Sequence, residues 1–233
     1  MTDKYPNISV SRHKKTWVKS AKGRKKSSVR WLERQLNDPY VAEAKKQGFR
    51  SRAIFKIMQL NDRFKFFKAG KKVVDLGAAP GGWSQIAVEK CGKNNVVGID
   101  LLEIDSIEGA EFIQGDFLEP ENQQKILDLL KGKVDIVMSD MAAATTGHAA
   151  TDHLRIMILV ETSLNFAKKI LAKEGVFIAK LFQGGAEKKL LDALKKNFKI
   201  VKHAKPEASR KDSSEEYVIA TGFKNKDENE TSE

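Results

Sequence analysis

The spacing of apolar positions changes several times along the chain, and each change marks an element. Residues 1–30 are rich in Lys, Arg and Ser with almost no apolar periodicity, which predicts a flexible basic arm. A short helix is expected within Trp31–Gly48, ended by Gly48. Over Ser51–Phe67 the residues Ile54, Phe55, Met58, Leu60 and Phe64 fall roughly on one side of a helix. Short apolar runs then predict strands at Lys72–Leu76, Asn95–Asp100, Glu111–Gln114, Val134–Ser139, Val176–Leu181, Phe198–Lys202 and Tyr217–Phe223. Between them, helical spacing marks Trp83–Lys90, Glu121–Lys131, Leu154–Lys173 and Ala186–Lys196. Residues 224–233 read as a disordered polar tail.

Alternating strands and helices imply an α/β fold: a mostly parallel sheet of seven strands with helices on both faces. The end of the chain breaks the rhythm. Between the last two strands, His203–Glu216 is polar and holds no helical pattern. A right-handed crossover needs a longer connection, so the last strand is expected to pair antiparallel to its neighbour. A length of 233 residues suits one domain over 31–223 with the arm and tail as appendages.

Charge adds a direction to this picture. Residues 1–72 hold 21 Lys/Arg against 5 Asp/Glu, and the remaining 161 hold 21 against 26. A basic first third on a nearly neutral body suggests a polyanionic partner, although a run of like charge is often only a solvated face. The single cysteine, Cys91, excludes a disulfide framework within the chain. No run reaches the roughly 18 apolar residues of a membrane span, and no apolar stretch follows the N-terminal charges as in a secretory signal. A cytoplasmic monomer without a membrane partner is the default expectation.

The strongest local signal is Val73-Val74-Asp75-Leu76-Gly77-Ala78-Ala79-Pro80-Gly81-Gly82-Trp83, an apolar strand entering a glycine turn that opens a helix. The spacing G-x-x-x-G-G differs from the dinucleotide fingerprint, and Pro80 removes a backbone donor that a diphosphate would need. Asp100 ends the next strand, 23 residues after Gly77, where a carboxylate can accept from both hydroxyls of a ribose. Asp116 follows the third strand and could reach an adenine amino group. Both, with Asp75, fall at the carboxyl ends of strands, the ligand edge of an open parallel sheet. Such carboxylates suit a cationic sulfonium better than a diphosphate. Their plainer role would be to hold turns or cap helices.

Lys180 lies in the apolar strand Phe177-Ile178-Ala179-Lys180-Leu181-Phe182. A charge there is costly unless it is paired or reaches water. Asp140 closes the preceding strand in Val137-Met138-Ser139-Asp140, so the two side chains should meet above the sheet edge. A structural ion pair and a chemical role are both open at this point. Methyl transfer to a hydroxyl needs an oxygen whose proton is leaving. A lysine amine, ordinarily near pKa 10.4, takes a proton only where burial or a neighbouring cation favours its neutral form. Lys56 and Glu215 could cover the same edge, but spacing alone does not select them over other lysines or over Glu216.

Several blocks in order make the chain resemble the FtsJ-type ribosomal RNA large-subunit methyltransferases. They are Arg50-Ser51-Arg52-Ala53-x-Phe55-Lys56, the glycine block extended to Ser84-Gln85, Asp100-Leu101-Leu102, Gln114-Gly115-Asp116-Phe117, Val137-Met138-Ser139-Asp140-Met141-Ala142, Lys180-x-Phe182-Gln183-Gly184, and Lys205-Pro206-x-x-Ser209-Arg210 with Ser213 and Glu215-x-Tyr217. The resemblance runs from about Arg30 to Phe223. It implies a Rossmann-like S-adenosylmethionine-dependent methyltransferase fold and a Lys-Asp-Lys-Glu catalytic set at Lys56, Asp140, Lys180 and Glu215. It implies cofactor contacts at Gly81, Trp83, Asp100, Asp116 and Asp140, with no metal. The implied reaction is 2′-O-methylation of a uridine in 23S rRNA, with the assembled large ribosomal subunit as partner.

Two departures stand out. After Asp140 the family usually reads Met-Ala-Pro-Asn, whereas this chain has Met141-Ala142-Ala143-Ala144. Residues 1–25 extend beyond the usual start, and the first 26 residues hold nine Lys/Arg against Asp3 alone, which favours extra non-specific RNA affinity. Arg50–Lys56 and the arm are expected on RNA phosphates. A transfer RNA 2′-O-methyltransferase and a non-catalytic ribosome assembly factor are the rival readings. A nicotinamide oxidoreductase is disfavoured by the glycine spacing.

Overall fold

The computed structural model describes residues 16–18, 23, 25–143, 146–182 and 188–225. Most of the predicted arm and tail lies outside them. The apolar runs form seven strands: β1 (Val73–Leu76), β2 (Val96–Asp100), β3 (Ala110–Gln114), β4 (Val134–Ser139), β5 (Leu171–Phe182), β6 (Phe198–Ala204) and β7 (Glu215–Phe223). They make one sheet in the order β3-β2-β1-β4-β5-β7-β6. The first five pair in parallel. Strand β7 inserts between β5 and β6 and runs antiparallel to both. The antiparallel last strand is as expected; its place between two earlier strands is a tertiary result.

Alternation along each strand separates two apolar layers. Val74, Leu76, Val137, Phe177, Ala179, Leu181 and Val218 pack on one side with α5 (Pro120–Leu130), α6 (Ala149–Ile170) and α7 (Lys188–Asn197). Val73, Ile136, Met138, Ile178, Tyr217 and Ile219 pack on the other with α3 (Ile54–Phe64) and α4 (Gly82–Cys91). The two-residue period therefore turns Asp75 and Lys180 towards the α3/α4 side. Among the described residues, no helix is long and apolar enough to cross a membrane.

Two elements differ from the sequence expectation. The region after residue 25 forms two helices, α1 (Lys26–Leu36) and α2 (Pro39–Lys46), and α1 begins inside the segment read as an arm. Asp38 separates them: it precedes a proline, which disfavours helical backbone, and its side chain accepts the Tyr40 amide at 3.0 Å to cap α2. Helix α6 ends at Ile170 rather than Lys173 because Leu171 turns extended and pairs beside Val134, burying its side chain. The chain then takes a left-handed turn at Glu174 before the regular part of β5. The predicted start of α7 at Ala186 lies outside the described residues.

The turn after β1 is tight. Gly77 and Ala78 both donate to the Ile99 carbonyl, at 2.9 and 3.1 Å, and the Ala79–Pro80 peptide is cis. Gly77 has φ 79°, and a Cβ there would lie 2.9 Å from backbone atoms of Met141. Gly77→Ala should therefore destabilise the fold by roughly 2–4 kcal/mol, combining left-handed backbone strain with overpacking. Urea unfolding checks this, and a loss below about 0.5 kcal/mol would show that the turn relaxes freely.

Candidate active site

The carboxyl ends of β1 to β5 form one edge, and the predicted site residues gather along it. Lys180 pairs in register with Tyr217 across β5 and β7. Its ammonium lies 3.0 Å from Asp140 Oδ1 and also donates to the Asp140 backbone carbonyl. Tyr217 donates its hydroxyl to the same Asp140 Oδ1 at 2.8 Å. Lys56, projecting from α3, donates to that hydroxyl at 3.3 Å and pairs with Glu215 Oε1 at 2.7 Å. Ser209 donates to the same Glu215 oxygen at 2.8 Å. Lys180, Asp140, Tyr217, Lys56, Glu215 and Ser209 thus make one continuous polar chain. Both lysines are 8% exposed.

Electrostatics keep this chain ionic. Burial pushes the Asp140 carboxyl up, but Lys180 and then Lys56 more than reverse this and hold it below its ordinary value. Burial raises the Tyr217 hydroxyl well above its ordinary value, and the Asp140 and Glu215 carboxylates raise it further. Tyr217 therefore remains a neutral donor that relays between a carboxylate and an ammonium.

The other end of the edge is acidic. Asp100 Oδ2 accepts the Ala79 amide and Oδ1 the Leu102 amide, both at 2.9 Å. Asp116 Oδ1 accepts the Leu118 amide at 2.9 Å. Both aspartates thus hold turns, which still leaves lone pairs on each carboxylate for a ligand. Gly81 caps α4 with φ 99°, and a Cβ on it would meet the Arg50 side chain at 2.9 Å. Trp83 is a core residue: its indole donates to the Ala53 carbonyl at 2.9 Å and packs against Tyr217, ring centroids 5.6 Å apart. Its backbone at the start of α4 is the part that faces the turn.

Three residues take parts here that the sequence alone did not give them. Tyr217 was quoted only as a motif residue, yet it joins the two ion pairs; its parity with Glu215 in β7 was the available signal. Asp75 is fully buried, accepts from Ser84 at 2.6 Å through Oδ2 and has no partner for Oδ1. Burial raises its pKa to about 7, opposed by the Ser84 bond and helped by the charges of Asp140 and Asp100. Arg50, expected on phosphates, instead ties the glycine turn down. It donates to the carbonyls of Pro80, Asp105 and Ser106 at 3.2, 2.6 and 2.7 Å. The substituted segment after Asp140 is described through Ala143; Ala144 and the positions of Gln183 and Gly184 lie outside the described residues.

A parallel sheet with an antiparallel strand inserted near its edge, a glycine turn after β1 and carboxylates ending the first strands define a Rossmann-like methyltransferase. The FtsJ-like methyltransferase family model matches residues 49–223, and the chain belongs to that family. A protein named ribosomal RNA large subunit methyltransferase E from Gluconobacter oxydans is 57% identical over 215 residues, spanning 92% of this chain and 80% of its own. One of the same name from Paramagnetospirillum magneticum is 57% identical over 224 residues, spanning 94% and 92%. A crystal structure from Plasmodium falciparum, described as that of a ribosomal RNA methyltransferase, superposes with a TM-score of 0.67 at 30% identity. It covers 75% of this chain and 98% of the other.

The raised Asp75 makes a pH prediction. With an ordinary value of 3.8 and a folded value of about 7, the folded protein holds a proton that the unfolded chain loses in between. Stability from this group is therefore full at low pH, falls as pH rises through that window, and is lowest above it. Asp75→Asn cannot ionise. Relative to wild type, its stability should rise by up to about 4 kcal/mol between about pH 4 and pH 8. Chemical unfolding of both proteins across that range checks this; a constant difference would mean Asp75 does not titrate there.

Proposed function

We propose that this chain transfers a methyl group from S-adenosylmethionine to the 2′-hydroxyl of a uridine in 23S rRNA of the assembled large ribosomal subunit. The observation that carries this reading is the buried chain from Lys180 through Asp140 and Tyr217 to Lys56 and Glu215. Membership of the methyltransferase family and the names of its relatives support it. So does the fit of the acidic end to a cationic cofactor. Asp75 Oδ1 is buried without a partner, and Asp100, Asp116 and Asp140 keep free lone pairs along the same edge. Gly81, the Trp83 backbone, Asp100, Asp116 and Asp140 would hold S-adenosylmethionine, which supplies an electrophilic methyl on a positively charged sulfur.

The residues divide the work by position. In its neutral form the Lys180 amine has two N–H bonds, which the two Asp140 contacts use, and one lone pair left for the ribose hydroxyl. Lys180 takes the hydroxyl proton on that lone pair as the oxygen bonds to the methyl and the methyl–sulfur bond breaks. Asp140 holds the amine rigidly and keeps a negative charge beside the cofactor's cation. Lys56 steadies negative charge developing on the oxygen, and Glu215 positions the ribose. Such fixed groups act mainly by orientation and by preorganised charge. A folded but catalytically idle assembly factor would have no need to keep two ammoniums nearly out of water. The reading places the enzyme in the cytoplasm as a monomer, with large-subunit rRNA as its partner.

Lys180→Ala should lower methyl incorporation into purified large subunits by roughly 10²–10⁴-fold while leaving S-adenosylmethionine affinity nearly intact. Labelled methyl transfer with mapping of the modified nucleotide, together with calorimetric binding, measures both. Turnover within a few-fold of wild type would remove Lys180 from this role. Transfer RNA methylated in preference to subunits would change the substrate.

A further inference from the structure

A cavity of about 320 Å³ opens beside Lys56 and Glu215 and is separate from the acidic end of the edge. Arg34 from α1, Arg52 and Lys56 line one part of it, and Arg210 and Asp212 from the β6–β7 connection, with Glu215 at the start of β7, line another. The charges in its walls are not equally committed. Lys56 is paired with Glu215 at 2.7 Å. Arg52 is paired with the buried Asp38 at 2.8 Å and donates a further nitrogen to the Ala208 carbonyl at 2.6 Å. Arg210 approaches the same Asp38 oxygen only to 3.6 Å. Asp38 itself is fixed by capping α2. One carboxylate therefore orients two arginines from distant parts of the chain, and the second holds it loosely.

Once these pairs are set aside, Arg34, Arg210 and Asp212 remain, an excess of one positive charge. A phosphodiester carries one negative charge and two free oxygens, and guanidinium donors match that geometry. The cavity is also large enough for a nucleotide unit rather than an ion alone, and it shares Lys56 and Glu215 with the site that would hold the target ribose.

We propose that this pocket seats the nucleotide flanking the target in the RNA strand, with its phosphodiester between Arg34 and Arg210. Asp38 is the positioning residue that aims Arg210 and Arg52. The proposal rests on the RNA methyltransferase reading and goes further by assigning a substrate subsite to residues outside the polar chain. The basic surface then has two parts: Arg50 and Arg52 serve the fold, and Arg34 and Arg210 serve the strand.

The test uses the full chain and large subunits purified from cells lacking this methylation. Initial rates are measured for wild type, Arg34→Ala, Arg210→Ala and Arg210→Lys across a series of KCl concentrations at fixed magnesium. Each alanine variant should raise KM for subunits about tenfold, with kcat close to wild type. The slope of log KM against log salt should fall by roughly 0.7 to 0.9 for each cation removed. Arg210→Lys, which keeps the charge, should restore most of the slope. S-adenosylmethionine affinity should not move. Arg34 is exposed on its helix, so Arg34→Ala is informative even if Arg210→Ala loosens its loop. Unchanged KM and salt slope in Arg34→Ala, with wild type active, would overturn the pocket alone. A wild-type protein that puts no methyl on subunits would overturn the underlying reading and the pocket with it.

Discussion

The structure depends on keeping the Lys180–Asp140 pair nearly out of water. Moving an ammonium and a carboxylate out of water costs several kcal/mol per ion, and their attraction offsets this only when geometry and further hydrogen bonds are good. Here the further bonds come from Tyr217, whose hydroxyl donates a hydrogen bond to Asp140 and accepts one from Lys56. Lys56 in turn needs Glu215, and Glu215 is held by Ser209. Four separate elements, α3, the end of β4, β5 and β7, must therefore arrive together. Remove one partner and a charge is left buried without compensation.

The same edge carries two electrostatic characters. Towards β3, β2 and β1 it presents carboxylates, one of them, Asp75, poised near neutrality by its burial. Towards β5 and β7 it presents ammoniums and then arginines. On the proposed function, a cationic methyl donor and an anionic RNA strand would be drawn to opposite ends and meet at Asp140 and Lys180. The sheet order produces this gradient because β1 to β3 lie on one side of β4, and β5 and β7 on the other.

The arginines illustrate how a motif can mislead when it is read by charge alone. Arg50 looks like a phosphate ligand in the sequence, yet its donors close the glycine turn against the 105–106 backbone. Guanidinium groups bind backbone carbonyls as well as phosphates, so a basic motif near a ligand edge does not by itself say which it serves. Only the contacts separate the two uses.

Local pattern was enough for most of the fold. The two-residue and helical periods located seven strands and the main helices, the glycine turn marked the carboxyl edge of the sheet, and a short polar link called for an antiparallel end. The adjacency of Asp140 and Lys180 followed from consecutive parallel strands. Periodicity acts over a few residues and carries no information about which strand finally lies beside which. The insertion of β7 between β5 and β6 was therefore a tertiary outcome, and it alone sets Tyr217 opposite Lys180 and brings Glu215 within reach of Lys56. The same holds for Asp38 and its two arginines, whose meeting joins segments more than 150 residues apart through packing that no local spacing records.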